Sequence, residues 1–394
     1  MAVPGLPANI DTTYADSGTD LSVKVHQQHH DLVHAYVNSE SGVTRTPEQY
    51  GAVGDGTTDD TSALNSVIAA SSAGDTIFIA GGKTYRHVSV ITINVPGVTL
   101  QGKGVLLGSA EATSAVQVSA DNVTIDSITF RVGTTTQRWA TPAQHKLVIN
   151  ASSGVVVRNV IIDGSAGAGI FVYGASNYLI SDPVVRNTRA DSIHNTFGAN
   201  NGLIQRPVVR NSGDDGIAVV SYVGETICSH IRIQSPQVYS QAWGRGIVVV
   251  GGQDIVYSDI YVERASAAAV YVACEPPTPA TLGVNGVWVL GGTVNEANKE
   301  TTVDYGAVLV SNGGTTYSVT NVYIEGLRIN NTRTAASRNV GVLQYAGTVS
   351  YIQLADFTIT GGPSTAYGTT GSTTLVNRTG WTKDGTPITD SVGF

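Results

Sequence analysis

Acidic residues recur at one position of a repeated sequence pattern. The residues Asp191, Asp215 and Arg245 each precede a small residue followed by isoleucine, and Asp214 lies beside Asp215. If these pairs mark the same corner of successive coils about 4.8 Å apart, then Asp191, Asp215 and Arg245 form an outward column. The pairs follow one another at steps of 23, 24, 30 and 23 residues, and they are Gly169-Ile170, Ser192-Ile193, Gly216-Ile217, Gly246-Ile247 and Ala269-Val270.

Three crowded carboxyl groups are unexpected in a chain of 394 residues of which only 13% are charged. Packing like charges together costs free energy, and such crowding raises the pKa of one carboxyl group, which then stays protonated and acts as an acid. Glycoside cleavage uses one protonated carboxyl group and one carboxylate. A simpler interpretation makes residues 211–216 a solvated turn in which aspartates cap backbone amides. The spread of the aspartates over two coils favours the catalytic interpretation.

More side chains point outward at the same corner, two residues after the first member of each pair. They add His194, Tyr271 and Phe171 to the surroundings of the acidic cluster.

A longer repeat predicts the elements that position this cluster. Strand-like segments recur at steps of 23 to 35 residues, where the shorter steps fit one coil of three short strands and the longer ones indicate an inserted loop. Stacked coils bury a continuous core, with alternating apolar positions inward and Gly or Asn at the corners. We therefore predict an all-β protein, a parallel β-helix of about ten coils. The repeat positions are Val98, Val123, Val155, Tyr178, Leu203, Ile231, Ile255, Val287, Val322 and Ile352.

The composition agrees with this fold and excludes several classes of protein. The chain has 45 Gly and many Val, Ile, Thr and Tyr, which favour strands and tight turns over a helical bundle. A net charge of −8, with 22 Lys and Arg, argues against a nucleic-acid surface. No apolar run is long enough for a membrane span, and no secretory signal is visible. Cys228 and Cys274 are expected to be buried free thiols.

The repeat divides the chain into four regions. Residues 1–44 form an arm with a short helical segment at Val23–Val37, and residues 45–95 form an N-terminal cap. Residues 96–362 form the β-helix, and residues 363–394, which break the register, form a C-terminal cap or tail. The cap contains a helix in which Ala63, Leu64, Val67 and Ile68 are apolar, with Asp59 or Asp60 as its N-cap.

No metal or cofactor is predicted. In the arm, His26, His30 and His34 share one helix face, for which a polar face is favoured over a metal site. No other metal signature and no phosphate-binding or dinucleotide-binding motif is present.

At the acidic cluster the sequence resembles polygalacturonase-type glycoside hydrolases. Residues 211–219, Asn-Ser-Gly-Asp-Asp-Gly-Ile-Ala-Val, resemble their Gly-Asp-Asp-Cys-Ile-Ala-Ile signature, and residues 188–194 resemble their Asn-Thr-Asp-Gly motif. The resemblance implies a right-handed parallel β-helix and a hydrolysis that inverts configuration. It also implies that Asp214 is the general acid and that Asp191 and Asp215 hold the attacking water.

The opening of the cap resembles that of the wider pectate-lyase-like superfamily, which includes phage tailspikes and carbohydrate-active enzymes. It reads Tyr50-Gly-Ala-Val-Gly-Asp-Gly and continues to Asp59-Asp60-Thr61. This opening identifies a fold rather than a reaction.

Two motifs depart from the polygalacturonase pattern. The family's Gly-His-Gly is Gly244-Arg245-Gly246 here, and its uronate-binding Arg-Ile-Lys aligns with Tyr271-Val272-Ala273. Only Arg245 then remains as a nearby cation, so a neutral or differently charged glycan fits better than galacturonan. The predicted substrate-binding residues are His194, Arg245 and the aromatic surfaces of Tyr271, Phe171, Tyr173 and Tyr222.

The arm suggests a biological setting. Residues 25–38 resemble the helical neck that precedes the β-helix in phage tail proteins, and tailspikes of this superfamily are usually homotrimers. We therefore predict a phage tail-associated depolymerase of a bacterial surface polysaccharide, in the virion tail or extracellular. Its expected partners are the glycan, two further copies of the chain, and tail or baseplate proteins bound through the arm.

Two alternatives stay open at this point. A non-catalytic receptor-binding or structural tail protein is supported by the departures at Arg245 and residues 271–273. A polysaccharide lyase is the other, with Arg245, His194 or Tyr271 handling the proton.

Overall fold

A computed structural model describes residues 42–277, 280–371 and 374–393. The predicted helical segment of the arm and its three histidines lie outside these residues. The described part contains one α-helix, α1 (Thr61–Ala69), and three short 3₁₀ helices at Pro47–Tyr50, Glu111–Thr113 and Pro142–Gln144. None of its helices has the length and apolar character that a membrane crossing requires.

Short strands make up most of the described chain. In the N-terminal part they are β1 (Thr44–Arg45), β2 (Asp55–Asp59), β3 (Thr76–Ile79), β4 (Thr84–His87), β5 (Ile91–Ile93), β6 (Thr99–Gly102), β7 (Val105–Gly108), β8 (Val116–Val118), β9 (Thr124–Asp126), β10 (Thr129–Val132), β11 (Leu147–Asn150) and β12 (Val156–Arg158). In the middle they are β13 (Ile161–Ser165), β14 (Ile170–Tyr173), β15 (Leu179–Ser181), β16 (Val184–Thr188), β17 (Ile193–Thr196), β18 (Leu203–Gln205), β19 (Val208–Arg210), β20 (Ile217–Val220), β21 (Ser229–Gln234), β22 (Gln237–Tyr239), β23 (Ile247–Val250) and β24 (Gly252–Glu263). In the C-terminal part they are β25 (Val270–Cys274), β26 (Val284–Asn295), β27 (Val308–Asn312), β28 (Ser318–Asn330), β29 (Val340–Gln344), β30 (Thr348–Ala355), β31 (Thr358–Thr360), β32 (Tyr367–Thr370), β33 (Thr374–Thr379), β34 (Thr382–Lys383) and β35 (Thr386–Pro387).

These strands stack as a right-handed parallel β-helix, as the sequence predicts. Sheet B has eleven strands, one from each coil, so the described coils number about eleven where the sequence predicts about ten. Sheet A has 24 strands and carries the other two strands of each coil, which merge in the long strands β24, β26 and β28. The strand pairs are parallel except for β34 with β35. Sheet B contains β5, β8, β11, β14, β17, β20, β23, β25, β27, β29 and β32.

The predicted corner register is confirmed. Ile170, Ile193, Ile217, Ile247 and Val270 pair in sequence across sheet B. Their side chains are buried in one apolar core that runs through the interior of the coils. Stacking thus gives each coil the apolar cover that it cannot provide alone.

One position of the longer repeat is wrong by one residue. Leu203 pairs with Leu179 and not with Tyr178, so Gly202 is the residue at the level of the Tyr178 ring. A Cβ atom on Gly202 would lie 2.1 Å from Cζ of Tyr178. The large ring therefore requires a glycine where the other coils carry an apolar side chain.

The corners and the cysteines agree with the sequence. Asn122, Asn177 and Asn201 adopt left-handed backbone conformations at one corner, with φ of 57°, 53° and 50°. Cys228 and Cys274 are free and buried.

The cap and the C-terminal segment differ in detail from the prediction. Helix α1 buries Ala63, Leu64, Val67 and Ile68, as expected. Asp60 is at the N-cap position, but its carboxylate accepts hydrogen bonds from the amides of Val53 and Gly54 and does not cap the helix.

Strands also continue beyond residue 362: β32, β33 and β34 pair with the preceding coil. The register therefore does not break there, and this segment adds a further coil.

Candidate active site

The starts of two neighbouring strands of sheet B bring the predicted aspartates together. Asp191 and Asp215 each lie two residues before a strand, β17 and β20, whose residues pair in register. Asp214 is the residue before Asp215. One carboxylate oxygen from each of the three aspartates lies within 4.8 Å of the other two. The cluster is thus built by adjacent coils rather than by one turn.

The predicted column is outside the apolar core, but it is not a solvated surface. Asp191 and Asp215 are only 5% and 3% exposed, because loops and neighbouring side chains cover this face. Buried carboxylates require partners, and each aspartate of the cluster has one.

Asp191 is held by His194. The Nδ1 atom of His194 hydrogen-bonds Oδ2 of Asp191, and the backbone amide of Asp215 donates to Oδ1 at 3.0 Å. Burial raises the pKa of Asp191, but the charge and the hydrogen bond of His194 outweigh it, so its pKa lies below the usual value. Asp191 is therefore the member of the cluster that most readily stays ionised.

Asp215 is held by Arg245, the residue at the position of the family's histidine. The guanidinium donates to Oδ2 and the Arg245 amide donates to Oδ1, each at 2.8 Å. The guanidinium also lies 3.4 Å from Glu275. Burial raises the pKa of Asp215 well above its usual value, and Arg245 opposes this shift. Arg245 is thus occupied by carboxylates of the protein itself.

Asp214 is held by an arginine that the sequence patterns do not single out. Nη1 of Arg138 lies 2.5 Å from Oδ2 of Asp214, while Oδ1 is buried without a hydrogen-bond partner. The Arg138 side chain is 54% exposed and that of Asp214 only 13%. Burial and the neighbouring Asp191 raise the pKa of Asp214, and the charges of Arg138 and Arg245 oppose this shift.

Arg138 belongs to the 133–146 loop, which joins β10 to β11 at a corner of the helix. The long step from Val123 to Val155 indicates an inserted loop in the sequence, but it does not show that this loop folds over the next coils. Trp139 of the same loop is another residue that the sequence analysis misses.

A cavity of about 150 Å³ opens beside the cluster. It reaches Asp191 and His194, whereas Asp214 and Asp215 are not in its wall because Arg138 and Arg245 bind them. Its lining residues are Arg138, Trp139, Ala140, His145, Ala168, Phe171, Ala190, Asp191, His194, Phe197 and Tyr222.

Two of the predicted aromatic surfaces are already covered. The Phe171 ring stacks on His145, with centroids 3.9 Å apart, and on His194 at 5.4 Å. Tyr271 is buried, with the Arg245 guanidinium 4.6 Å from its ring centroid and Tyr305 stacked at 5.6 Å. Tyr271 therefore offers no free face to a sugar, whereas Phe171 is stacked on two rings but still contributes to the cavity wall.

The other two predicted tyrosines lie at the cavity or next to it. Tyr222 lines the cavity, and burial followed by the charge of Asp191 raises its pKa to about 12. Tyr173 is half-buried between Phe171 and Phe197. Among the exposed large aromatics that the sequence analysis misses are Trp243, two residues before Arg245, and Tyr345 after β29.

The three carboxyl groups are close enough to hold a cation. However, Arg138, Arg245 and His194 already bind their oxygen atoms. The donor set is therefore a network of ion pairs, which does not fit a metal ion without displacement of those side chains.

Comparison with solved structures shows the same fold in proteins of low sequence identity. The catalytic unit of a thermostable GH87 α-1,3-glucanase from Streptomyces thermodiastaticus is 17% identical, with a TM-score of 0.62 over 87% of this chain and 69% of that chain. The A-module of the Azotobacter vinelandii mannuronan C-5 epimerase AlgE4 is 16% identical, with a TM-score of 0.59 over 84% and 99%. PfbA, a surface adhesin of Streptococcus pneumoniae, is 14% identical, with a TM-score of 0.65 over 87% and 90%.

Sequence comparison identifies the family. No curated protein matches the chain. The family model described as rhamnogalacturonase A/epimerase, pectate lyase-like, matches residues 45–269, which is more than half of the chain and includes the acidic cluster. The chain therefore belongs to the rhamnogalacturonase A/epimerase family of pectate-lyase-like proteins.

Proposed function

We propose that this protein hydrolyses glycosidic bonds of a polysaccharide with Asp191, Asp214 and Asp215. The observation that carries this proposal is that three carboxyl groups from two adjacent coils lie together beside a cavity, with one oxygen of each within 4.8 Å of the other two. Glycoside hydrolysis needs a protonated and an ionised carboxyl group on one bond, and the cluster provides candidates for both.

We base the proposed role of each aspartate on its surroundings. Asp214, whose pKa is raised by burial, protonates the leaving oxygen as the general acid. Asp191, whose pKa is lowered by His194 against the effect of burial, holds the attacking water. Burial also raises the pKa of Asp215, but Arg245 binds both of its oxygens, so we assign Asp215 to the water and not to the leaving oxygen. Neighbouring carboxyl groups whose environments shift their pKa values in opposite directions are typical of acid and base pairs.

The distance between the two carboxyl groups bears on whether the hydrolysis inverts or retains the anomeric configuration. The resemblance to polygalacturonases implies inversion, for which carboxyl groups about 6.5–9.5 Å apart are typical, whereas retaining enzymes have them about 5–5.5 Å apart. The oxygens here lie within 4.8 Å. The anomeric configuration of the first product, followed by proton NMR, decides between the two.

Two of the structural neighbours support a glycan as substrate. The glucanase and the mannuronan epimerase are named for their action on polysaccharides, and both have this fold. The cavity wall also combines aromatic and charged side chains, which suits a single sugar unit of such a polymer.

The test is the release of reducing ends from bacterial capsule and cell-wall polysaccharides by the wild type and by Asp214→Asn. We expect the substitution to lower the rate by about 10²–10⁴-fold. The control is Asp182→Asn, which removes an exposed carboxylate paired with Arg206 and should retain full activity. Unchanged turnover by Asp214→Asn would exclude Asp214 as the acid.

A second candidate reaction is β-elimination on a uronic acid. The observation that favours it is that His194, oriented by Asp191, lines the cavity together with Arg138 and Tyr222, whereas Asp214 does not. His194 would then remove the proton next to the sugar carboxylate. Unsaturated products that absorb ultraviolet light, still formed by Asp214→Asn and lost in His194→Gln, would establish this reaction instead.

We also propose that the protein acts in a phage tail on a bacterial surface polysaccharide, as a homotrimer. The support comes from the neck-like residues 25–38 and from the cap opening at residues 50–61. Analytical ultracentrifugation of the full chain should give a trimer, and antibodies to the protein should label the tails of virions. A monomer at micromolar concentration would contradict the trimer.

A further inference from the structure

Arg138 is placed between the proposed acid and the cavity. Its guanidinium binds Oδ2 of Asp214, and the same residue lines the cavity. While this ion pair holds, Asp214 is outside the cavity wall and its Oδ2 atom is occupied. A leaving oxygen therefore reaches Asp214 only after the Arg138 side chain has moved.

Of the described residues that line the cavity, only Arg138 carries a permanent positive charge. Arg245 cannot take its place, because it is buried and bound to Asp215 and Glu275. His145 is neutral, since burial lowers its pKa to about 3, and its Nδ1 atom accepts a hydrogen bond from the Ala168 amide.

The backbone around Arg138 is fixed on both sides. Before it, the amide of Thr136 donates to Glu111 at 2.6 Å, and Arg189 donates to the hydroxyl of Thr135 at 2.9 Å. After it, the amide of Trp139 donates to the carbonyl of Ala166 at 2.9 Å. The half-exposed Arg138 side chain can therefore change rotamer without opening of the loop.

We propose that Arg138 exchanges Asp214 for the carboxylate of an acidic sugar, so that the substrate is a polysaccharide with a uronic acid at the cleavage site. This inference rests on the proposed function in one respect, namely that a glycan binds over Asp214. An arginine can bind a carboxylate through two parallel hydrogen bonds. Arg138 contacts Asp214 through one nitrogen and one oxygen only, so a sugar carboxylate can form one more hydrogen bond to Arg138 than Asp214 does.

The exchange connects recognition to catalysis. When the sugar carboxylate takes Arg138, Asp214 loses its ion pair and its Oδ2 atom becomes free to hold the proton that the leaving oxygen needs. A neutral sugar offers Arg138 no replacement for Asp214. The sequence alone favours a neutral or differently charged glycan because it shows only Arg245, and the 133–146 loop adds the missing cation.

Calorimetric binding at pH 7 tests the exchange. The probes are tetrasaccharides of galacturonate, glucuronate-containing hyaluronan and mannuronate, each compared with its carboxyl-reduced form. The variants are Arg138→Gln and Arg138→Lys. The matched control is Arg131→Gln, which removes the same charge from a side chain that is 50% exposed on sheet A and is paired with Asp163.

For at least one probe we expect the wild type and Arg131→Gln to bind the acidic form about tenfold more tightly than the reduced form. Arg138→Gln should lose this preference, and Arg138→Lys should keep part of it. Equal binding of both forms by the wild type, an unchanged preference in Arg138→Gln, or no binding of any acidic probe would overturn the inference.

The same experiment separates this inference from the proposed hydrolysis. Cleavage of neutral glycans only would leave the hydrolase standing and would exclude Arg138 as a uronate receptor. Preferential binding of an acidic probe that is lost in Arg138→Gln, without cleavage, would support the receptor and would exclude hydrolysis of that glycan.

Discussion

Arg245 binds both carboxylate oxygens of Asp215, one through its backbone amide and the other through its guanidinium, each at 2.8 Å. The two residues are 30 positions apart in the sequence and one coil apart in the helix. An arginine at this position therefore gives the neighbouring aspartate a permanently charged partner.

Replacement of Arg245 by methionine should leave Asp215 buried without this partner. We expect the free energy of unfolding at pH 7, measured by urea denaturation, to fall by about 3–5 kcal/mol. The loss should shrink at acidic pH, where Asp215 becomes neutral. The control Arg264→Met removes an exposed pair with Glu296 and should cost no more than about 1 kcal/mol. Equal losses in the two variants would argue against the buried pair.

Gly244 allows the Arg245 segment to pack on Asp214. Its φ is +86°, and a Cβ atom there would lie 2.5 Å from the carbonyl carbon of Asp214. Gly224 has a similar φ of +93° but open space around it. We expect Gly224→Ala to cost about 1–2 kcal/mol through its backbone alone, and Gly244→Ala to cost more and to lower activity. Equal thermal stability of the two variants would show that the contact is unimportant.

The pH dependence of activity should report the contact of Arg138 with Asp214. Arg138 opposes the effect of burial, so its removal should raise the pKa of Asp214 further. A general acid with a higher pKa stays protonated to higher pH. The alkaline limb of kcat/KM for Arg138→Gln should therefore move to higher pH, while that of Arg131→Gln should stay in place. A shift to lower pH would contradict the assignment of Asp214 as the acid.

A buried lysine predicts a pH dependence of stability. The Nζ atom of Lys146 donates to the carbonyl of Ser114 at 2.6 Å and lies 3.3 Å from Nε2 of His87. Burial lowers the pKa of Lys146 to about 7, from 10.5 in the unfolded chain. Between these values the unfolded state binds more protons, so the stability of the wild type should rise with pH.

The reference for this effect is Lys146→Met, which keeps most of the side-chain volume without the charge. Relative to this variant, the wild type should gain a few kcal/mol between pH 7 and pH 10 in urea denaturation. Burial lowers the pKa of His87 to about 3, so this residue titrates outside the window. Parallel stability curves for the two proteins would show that Lys146 does not titrate in the folded state.

The fold could be predicted because apolar residues recur in the sequence at intervals that match the length of one coil. Ile193, Ile217 and Ile247 occupy equivalent positions, so the residues two positions earlier, Asp191, Asp215 and Arg245, must lie on neighbouring coils. The misplaced Leu203 shows the limit of this reasoning. A glycine beneath a tyrosine ring breaks the apolar pattern, although the coil itself is regular.

The cover of the site could not be predicted from the same pattern. The register shows correctly that Phe171 and Tyr271 point away from the core, but not that His145, Arg245 and Tyr305 cover them. These contacts depend on loops and on side-chain rotamers. The position of Arg138 over Asp214 is another such contact, since a long step in the repeat reveals only that a loop exists.

The 133–146 loop lies outside both sheets, and its ends rejoin the ladder at β10 and β11. The part of it that carries Arg138, residues 134–138, can therefore change in length and sequence without moving any coil, whereas His145 and Lys146 at its end are buried against the coils. The aspartates belong to the stacked coils, while Arg138 belongs to the loop. Proteins that share the acidic cluster can therefore differ in the sugar that they prefer, and grafting this segment from one onto another should transfer the sugar preference of the donor.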